Sequence, residues 1–237
     1  MAHSYERALD IGCGAGEITL ELAQANAAAS HLGIDISPEL LVVARERTTG
    51  LANTAFELCD ASGWTSDTGR KPDLLVSRHG VMFFGDPAKA FDHLRSQSEP
   101  DARMVFSCFR TPAENGWIRE LAAIVPPGGE APDPRAPGPF AFGEANYVRD
   151  VLNEGGWQSV ELTPVDYAMI VGTGEDPVAD AVSYFQAIGP SARALAETEG
   201  EEREAMLARL ADMAAANRDG DTVSLAAACW IVTASAG

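Results

Sequence analysis

The feature that most constrains this chain is Asp10-Ile11-Gly12-Cys13-Gly14-Ala15-Gly16-Glu17, a triple-glycine run between a strand pattern and a helix pattern. Arg7-Ala8-Leu9-Asp10-Ile11 precedes it as a strand, and Glu17 to Ala28 follows with Ile18, Leu20, Leu22 and Ala25 at helical spacing. Glycines there let the backbone turn sharply and let a ligand lie against the main chain. The strand–helix alternation then repeats. A second strand, His31–Ile36, leads into Ser37-Pro38-Glu39, where Ser37 is a helix N-cap and Pro38 occupies the first helical position. Ala55–Cys59 and Asp73–Ser77 are third and fourth strands, Asp86-Pro87 opens a helix carrying Phe91 and Leu94, and Met104–Cys108 is a fifth strand. Strands separated by helices of about 10–15 residues predict βαβ crossovers. The expected fold is α/β, a doubly wound, mostly parallel sheet covered on both faces, which explains why the strands are apolar almost throughout.

After Phe109 the pattern changes. The stretch 126–139 is dense in proline and glycine and predicts a surface connection. Helical stretches are expected at 144–154, 176–188 and 190–217, and strands at 157–163 and 222–234. The acidic, alanine-rich run from Ala192 to Arg218 predicts one solvated amphipathic helix.

Composition excludes several function classes. The 237 residues include 17 basic and 35 acidic side chains, a net charge of −18, which repels nucleic-acid backbones and anionic lipid. No nucleic-acid or membrane partner is expected. Cys13, Cys59, Cys108 and Cys229 form no C-x-x-C, so neither a zinc site nor a disulfide framework is indicated, and no metal is expected. That cysteine usage suits a reducing cytoplasm. Residues 1–7 lack the basic end and apolar core of a signal peptide. No apolar run approaches the ~20 residues of a membrane span.

The glycine loop carries its own chemical restriction. A dinucleotide-binding turn places a third glycine where Glu17 stands, and a carboxylate in the first helical turn competes with a pyrophosphate for the positive helix end. The loop favours a nucleoside ligand without phosphates. Asp35, 19 residues beyond Gly16, is placed either to accept from both ribose hydroxyls or to flank the next helix. Asp60, in Cys59-Asp60-Ala61, is placed to accept from an exocyclic amine or to form a turn. Acids at the carboxyl ends of three successive parallel strands lie where an open α/β sheet binds its ligand.

The segments ALDIGCGAGEITLELA, GIDISPELLVVARER and FELCDASGW resemble, in order and spacing, the first three motifs of class I S-adenosylmethionine-dependent methyltransferases. The likeness covers residues 5–109. It continues through Ser77–Pro87 and Pro112–Trp117, which are similar to a bacterial subgroup of small-molecule-type methyltransferases. The resemblance implies S-adenosyl-L-methionine as cofactor and S-adenosyl-L-homocysteine as product. It implies that Gly12, Gly14 and Gly16 border the methionine moiety with Asp10 near its amino group, and that Asp35 holds the ribose. It further implies that Ile36 packs on the adenine, that Asp60 and the Ala61 backbone read the adenine edge, and that Ser77 belongs to the cofactor-binding set. The implied fold is a Rossmann-like seven-stranded sheet with an antiparallel last strand, containing Ala226–Val232, and helical cap elements. Residues 1–109 would form the cofactor-binding half, 110–221 the substrate-side helices with the proline-rich connection and one strand, and 222–237 the final strand. Family members carry about forty residues before the first strand where this sequence has five or six, so either the chain is short by nature, or the cover comes from 110–145 and 172–217, or it comes from a partner subunit.

A cofactor that brings an activated methyl group asks the protein mainly for in-line positioning and exclusion of water. His79, just past the fourth strand, is the candidate catalytic base; the other reading is that it packs beside the methionine end. Met82, Phe83 and Phe84 are candidates for an apolar acceptor wall or plain core. Arg110 and Trp117 are candidates to grip an acidic or aromatic acceptor, or a surface charge and an interface aromatic. His3, His31 and His93 are expected to be structural or exposed. Ser77-Arg78-His79-Gly80 stands where nucleic-acid amine methyltransferases carry N-P-P-Y, and no Pro-Cys pair is present to attack pyrimidines. The expected function is methyl transfer to a small organic acceptor. The rival is a non-catalytic S-adenosylmethionine-binding protein, a sensor or a subunit of an assembly. A nicotinamide-dependent reductase is disfavoured by Glu17 and by the lack of a Tyr-x-x-x-Lys pair.

Overall fold

A computed structural model describes residues 4–66, 69–125, 133–187 and 189–237. The strands and helices of the first half follow the apolar pattern of the sequence. They are β1 (Arg7–Ile11), α1 (Glu17–Ala25), β2 (Ser30–Asp35), α2 (Pro38–Arg47), β3 (Thr54–Leu58), β4 (Leu74–Arg78), α3 (Pro87–Ser96) and β5 (Arg103–Phe109). Two helix starts are fixed by their sequence signals. The Ser37 hydroxyl accepts from the Leu40 N–H at 3.2 Å, and the Asp86 carboxylate from the Lys89 N–H at 3.3 Å, each followed by proline at the first helical position.

The second half contains α4 (Gly116–Ile124), α5 (Ala145–Glu154), β6 (Gln158–Thr173), α6 (Pro177–Ala187), α7 (Gly189–Ala196), α8 (Gly200–Ala216), β7 (Arg218–Asp219) and β8 (Thr222–Ser235). The sheet order is β3-β2-β1-β4-β5-β8-β6, with the two-residue β7 paired to β8 as an eighth strand. β1 to β5 pair in parallel, and β8 returns antiparallel against β5, with Cys108 opposite Trp230. The fold is therefore Rossmann-like and mostly parallel with an antiparallel closing strand.

Several details differ from the sequence expectation, including β6, which runs to Thr173 where the sequence predicts a strand only over 157–163, and α4, which the sequence does not predict. The crossover from β3 to β4 holds a single 3-10 turn, Ala61–Gly63, with no α-helix among its described residues. Its polar, glycine-containing sequence offers no apolar stripe to bury. β3 is an edge strand of the sheet, and its Leu58 is 55% exposed rather than covered on both faces. The run expected as one helix over 190–217 is two. Thr198 bonds back to the Ala194 carbonyl at 3.0 Å, and Gly200 adopts φ 57°, which ends α7 and resets the chain for α8.

Two compact units divide the chain: 1–110, 134–164 and 229–237 form one, and 111–133 with 165–228 form the other. The first unit takes up 134–164, which the sequence grouped with the substrate-side helices. Its core is one cluster including Leu9, Ile11, Leu75, Phe91, Phe106 and Trp157, all almost completely buried. In the second unit Asn115 is fully buried: its side-chain oxygen accepts from the Ala228 N–H at 2.9 Å, and its amide donates to the Ala228 carbonyl at 3.2 Å. His3 and residues 126–132 of the proline-rich stretch lie outside the described residues.

Candidate functional site

The candidate site is the carboxyl-terminal rim of β1 to β5, all within the first unit. Its floor is the glycine loop after β1. Gly12, Gly14 and Gly16 all take the left-handed conformation, with φ of 64°, 54° and 78°, but they are glycine for different reasons. A Cβ on Gly12 would meet the Gly80 backbone at 3.0 Å, and one on Gly16 would overlap the Ala44 Cβ of α2 at 2.9 Å. A Cβ on Gly14 would meet nothing within 4 Å. Gly12 and Gly16 thus serve the packing of the loop, whereas Gly14 keeps main chain bare towards open space.

Asp35, the last residue of β2, ties this loop down. One carboxylate oxygen accepts from the Gly14 N–H at 2.8 Å and the other from the Ser37 N–H at 2.9 Å. A carboxylate has about four acceptor positions, so capacity for two hydroxyl donors is left. The next residue, Ile36, is 74% exposed, a bare apolar face beside that carboxylate. Asp60 caps the 3-10 turn, accepting from the Ser62 N–H at 2.8 Å and hydroxyl at 2.7 Å, and these bonds hold its carboxyl below the usual range. Ala61 beside it is buried.

Beneath the loop, Asp10 is 3% exposed and accepts from the Thr19 hydroxyl at 2.7 Å. Burial pushes its carboxyl up to about 6, against the opposing pull of Thr19 and of Arg78. The Ser77 hydroxyl donates to the Ile11 carbonyl at 2.7 Å and accepts from the Gly80 N–H at 3.2 Å, pinning β4 to β1. Glu17 makes a double ion pair that sequence reasoning missed: with Arg47 at 3.3 Å and with Arg78, while Arg47 also donates to the Ala15 carbonyl at 2.8 Å. These partners lie 30 and 61 positions away in the chain, beyond any local pattern.

His79 follows β4 in the left-handed region, φ 61°, a costly conformation for a side-chain-bearing residue. Its ring stacks on Phe109, the last residue of β5, with centroids 4.2 Å apart. Its Nδ1 and the Ser107 hydroxyl are buried without a hydrogen-bond partner among the described residues. Burial, then the neighbouring Arg78 charge, lowers the imidazole to about 4, so it is neutral at pH 7. Further along, Phe140 lies 5.9 Å from Phe109, and the Arg110 guanidinium sits 5.2 Å over the Trp230 ring. Val81 and Met82 are core, whereas Phe83 is 54% exposed. Trp117 is buried in the second unit, donating to Asn115 at 3.1 Å, which gives it a packing role there. His31 is buried against Tyr5 at 3.0 Å, and His93 binds the Trp64 carbonyl at 2.6 Å.

These residues fit an adenosyl amino acid. Bare main chain at Gly14, spare acceptor capacity on Asp35 and the exposed Ile36 suit a nucleoside with a slender tail. Among the described residues no cluster of histidine, cysteine and acidic side chains has the make-up of a metal site. No helix of the described residues is long and apolar enough to cross a membrane.

The chain is similar to several known methyltransferases. Trans-aconitate 2-methyltransferase of Delftia acidovorans is 31% identical over 119 residues, 49% of this chain and 43% of that protein. The Paracidovorax citrulli enzyme of the same name is 28% identical over 193 residues, 76% and 73% of the two chains. Release factor glutamine methyltransferase of Vibrio cholerae is 33% identical over 167 residues, 68% and 54%. The chain spans under half the length of the first of these relatives. Among solved structures, Haemonchus contortus phosphoethanolamine N-methyltransferase 2, bound to S-adenosylhomocysteine, aligns with 99% of this chain and 49% of its own at a TM-score of 0.56 and 15% identity. The [4+2]-cyclase SpnF aligns with 98% and 75% at 0.56 and 16%. Likenesses at this identity establish the fold and not the reaction. The family model described as a methyltransferase domain matches residues 2–124, half of the sequence, and the chain belongs to that methyltransferase-domain family.

Proposed function

We propose that this chain is an S-adenosylmethionine-dependent methyltransferase that methylates a small organic acceptor in the cytoplasm. The observation that carries the reading is the pairing of Asp35 with the 74% exposed Ile36 beside the bare Gly14 backbone, the arrangement an adenosine needs for its ribose and its ring. The bound cofactor supplies a methyl group already activated on a sulfonium. Asp35 then accepts the ribose hydroxyls while keeping the loop tied, Asp60 and the Ala61 backbone read the adenine edge, and Gly12, Gly14 and Gly16 let the tail lie along the main chain. Asp10 and Ser77 hold the floor from below.

The acceptor enters over β4 and β5, where Phe109, Phe140 and the exposed Phe83 offer apolar surface. Neutral His79, stacked on Phe109, serves as the base for the acceptor atom. An imidazole this weakly basic suits an acceptor that is acidic or already anionic, which agrees with relatives named for the polycarboxylate trans-aconitate. The test is calorimetric titration with S-adenosylhomocysteine on the native chain and on Asp35→Ala, followed by a screen of carboxylic acids, phenols and thiols. Binding that collapses in the variant, with turnover of one acceptor class, supports the reading. Binding without turnover across the whole panel would leave a non-catalytic cofactor-binding protein.

A further inference from the structure

We infer that Arg78 grips the carboxylate of the cofactor's methionine tail, and that Glu17 holds Arg78 as a stand-in carboxylate until the cofactor arrives. This deepens the reading of the rim as an S-adenosylmethionine site and rests on it.

The need for such a cation is electrostatic. The strand ends and the first turn of α1 present Asp10, Glu17, Asp35 and Asp60 in a chain of net charge −18. The adenosine and the sulfonium are welcome there, but an α-carboxylate is not, unless a positive group meets it. Arg78 is the last residue of β4, and its side chain is 56% exposed. It reaches to Glu17 in the first turn of α1, so the pair links the end of β4 to the helix start that follows the glycine loop carrying Gly14.

The exchange is easy to make. Glu17 has a second cation, Arg47, which stays bonded to the Ala15 carbonyl, so releasing Arg78 does not leave Glu17 unpaired. An exposed ion pair contributes little to stability, whereas a planar guanidinium can meet an incoming carboxylate with two parallel bonds. The same exchange accounts for an acidic residue at a position where phosphate-binding loops carry glycine: Glu17 keeps the guanidinium aimed across the loop.

The test pairs two ligands that differ only in the amino-acid tail. Calorimetric titration of the native chain, Arg78→Ala, Arg78→Lys and Glu17→Gln would use S-adenosylhomocysteine and 5′-methylthioadenosine. Arg78→Ala is expected to weaken S-adenosylhomocysteine by roughly 10- to 100-fold while leaving 5′-methylthioadenosine within about twofold, and Arg78→Lys to restore part of the loss. Glu17→Gln, which loosens the competitor, is expected to tighten S-adenosylhomocysteine by roughly two- to fivefold and to leave the tail-less ligand alone. Unchanged S-adenosylhomocysteine affinity in Arg78→Ala, or equal weakening of both ligands, overturns the inference while the site reading stands. Failure of the native chain to bind either ligand overturns the site reading and this inference with it.

Discussion

Along the sheet rim, the β1–β3 side and the β4–β5 side spend their polar groups differently. On the first, Asp35 takes two backbone N–H groups, Asp60 caps its own turn, and Asp10 holds Thr19. Every carboxylate there has a structural task before any ligand arrives. On the second, the His79 Nδ1 and the Ser107 hydroxyl are buried without partners among the described residues, and His79 sits in a strained backbone conformation. Buried polar groups are normally paired, and strain persists where surrounding structure imposes it. Under the proposed function, the first side is a preorganised cofactor edge and the second the acceptor edge.

The sharpest way to break that contrast is to remove the imidazole. Asparagine tolerates the left-handed region, so His79→Asn keeps the backbone while deleting the ring. Turnover is expected to fall by roughly 10²- to 10⁴-fold, with S-adenosylhomocysteine affinity held within about threefold. Steady-state rates with calorimetry on the same preparation decide it. Unchanged turnover would make His79 a packing residue and erase the distinction between the two edges.

On the cofactor edge the expected sign is reversed, with binding lost first. Asp35→Ala removes the ribose acceptor and leaves two backbone N–H groups unpaired, at about 1–3 kcal/mol for each that stays buried. S-adenosylhomocysteine affinity should fall by roughly 100-fold or more. A loss of melting temperature with no loss of affinity would reduce Asp35 to a loop anchor.

Within the loop, the glycines themselves sharpen the comparison. Gly16→Ala forces a methyl against Ala44 in a left-handed conformation and should cost roughly 2–4 kcal/mol of stability. Gly14→Ala meets open space and should cost only about 1–2 kcal/mol, yet it fills the surface where the tail would lie and should abolish binding. Urea denaturation and titration of both variants separate the two roles. Equal stability losses would mean that Gly14 is also a packing glycine.

The sequence reading succeeded where the signal is local. Near-continuous apolar strands, Ser37-Pro38 and Asp86-Pro87 mark their elements within a few residues, and Asp10, Asp35 and Asp60 stand at the carboxyl ends of three adjacent parallel strands. It stopped where the cause lies far along the chain. Ser77 binds the Ile11 carbonyl, Glu17 binds Arg78, and Asn115 binds both backbone groups of Ala228, 113 positions away. None of these residues differs in kind from an ordinary surface or turn residue until the fold supplies its partner. The helix break after α7 was similarly hidden, because Thr198 and Gly200 sit within an alanine- and glutamate-rich run whose composition favours helix.

Asp10 gives the last test, confined to one pH window. Its carboxyl is raised by burial from 3.8 to about 6, so as pH rises the unfolded chain releases this proton first. Between about pH 4 and 6 the folded state holds more protons, and stability must fall as pH rises through that interval and level off above it. His79 runs the other way: lowered from 6.5 to about 4, it withdraws stability as pH falls through the same range. The two slopes mask each other in the native chain. Asp10→Asn isolates one of them, since the asparagine oxygen can still accept from Thr19 but cannot titrate. The native chain and the variant should be equally stable near pH 4 and diverge up to pH 6. Above that the variant should be the more stable by no more than about 3 kcal/mol, the free-energy equivalent of the raised pKa. Urea midpoints at pH 4, 5, 6 and 8 read this difference directly. A difference that stays constant with pH would mean that Asp10 ionises as in water, and that the floor under the glycine loop is wetter than its burial implies.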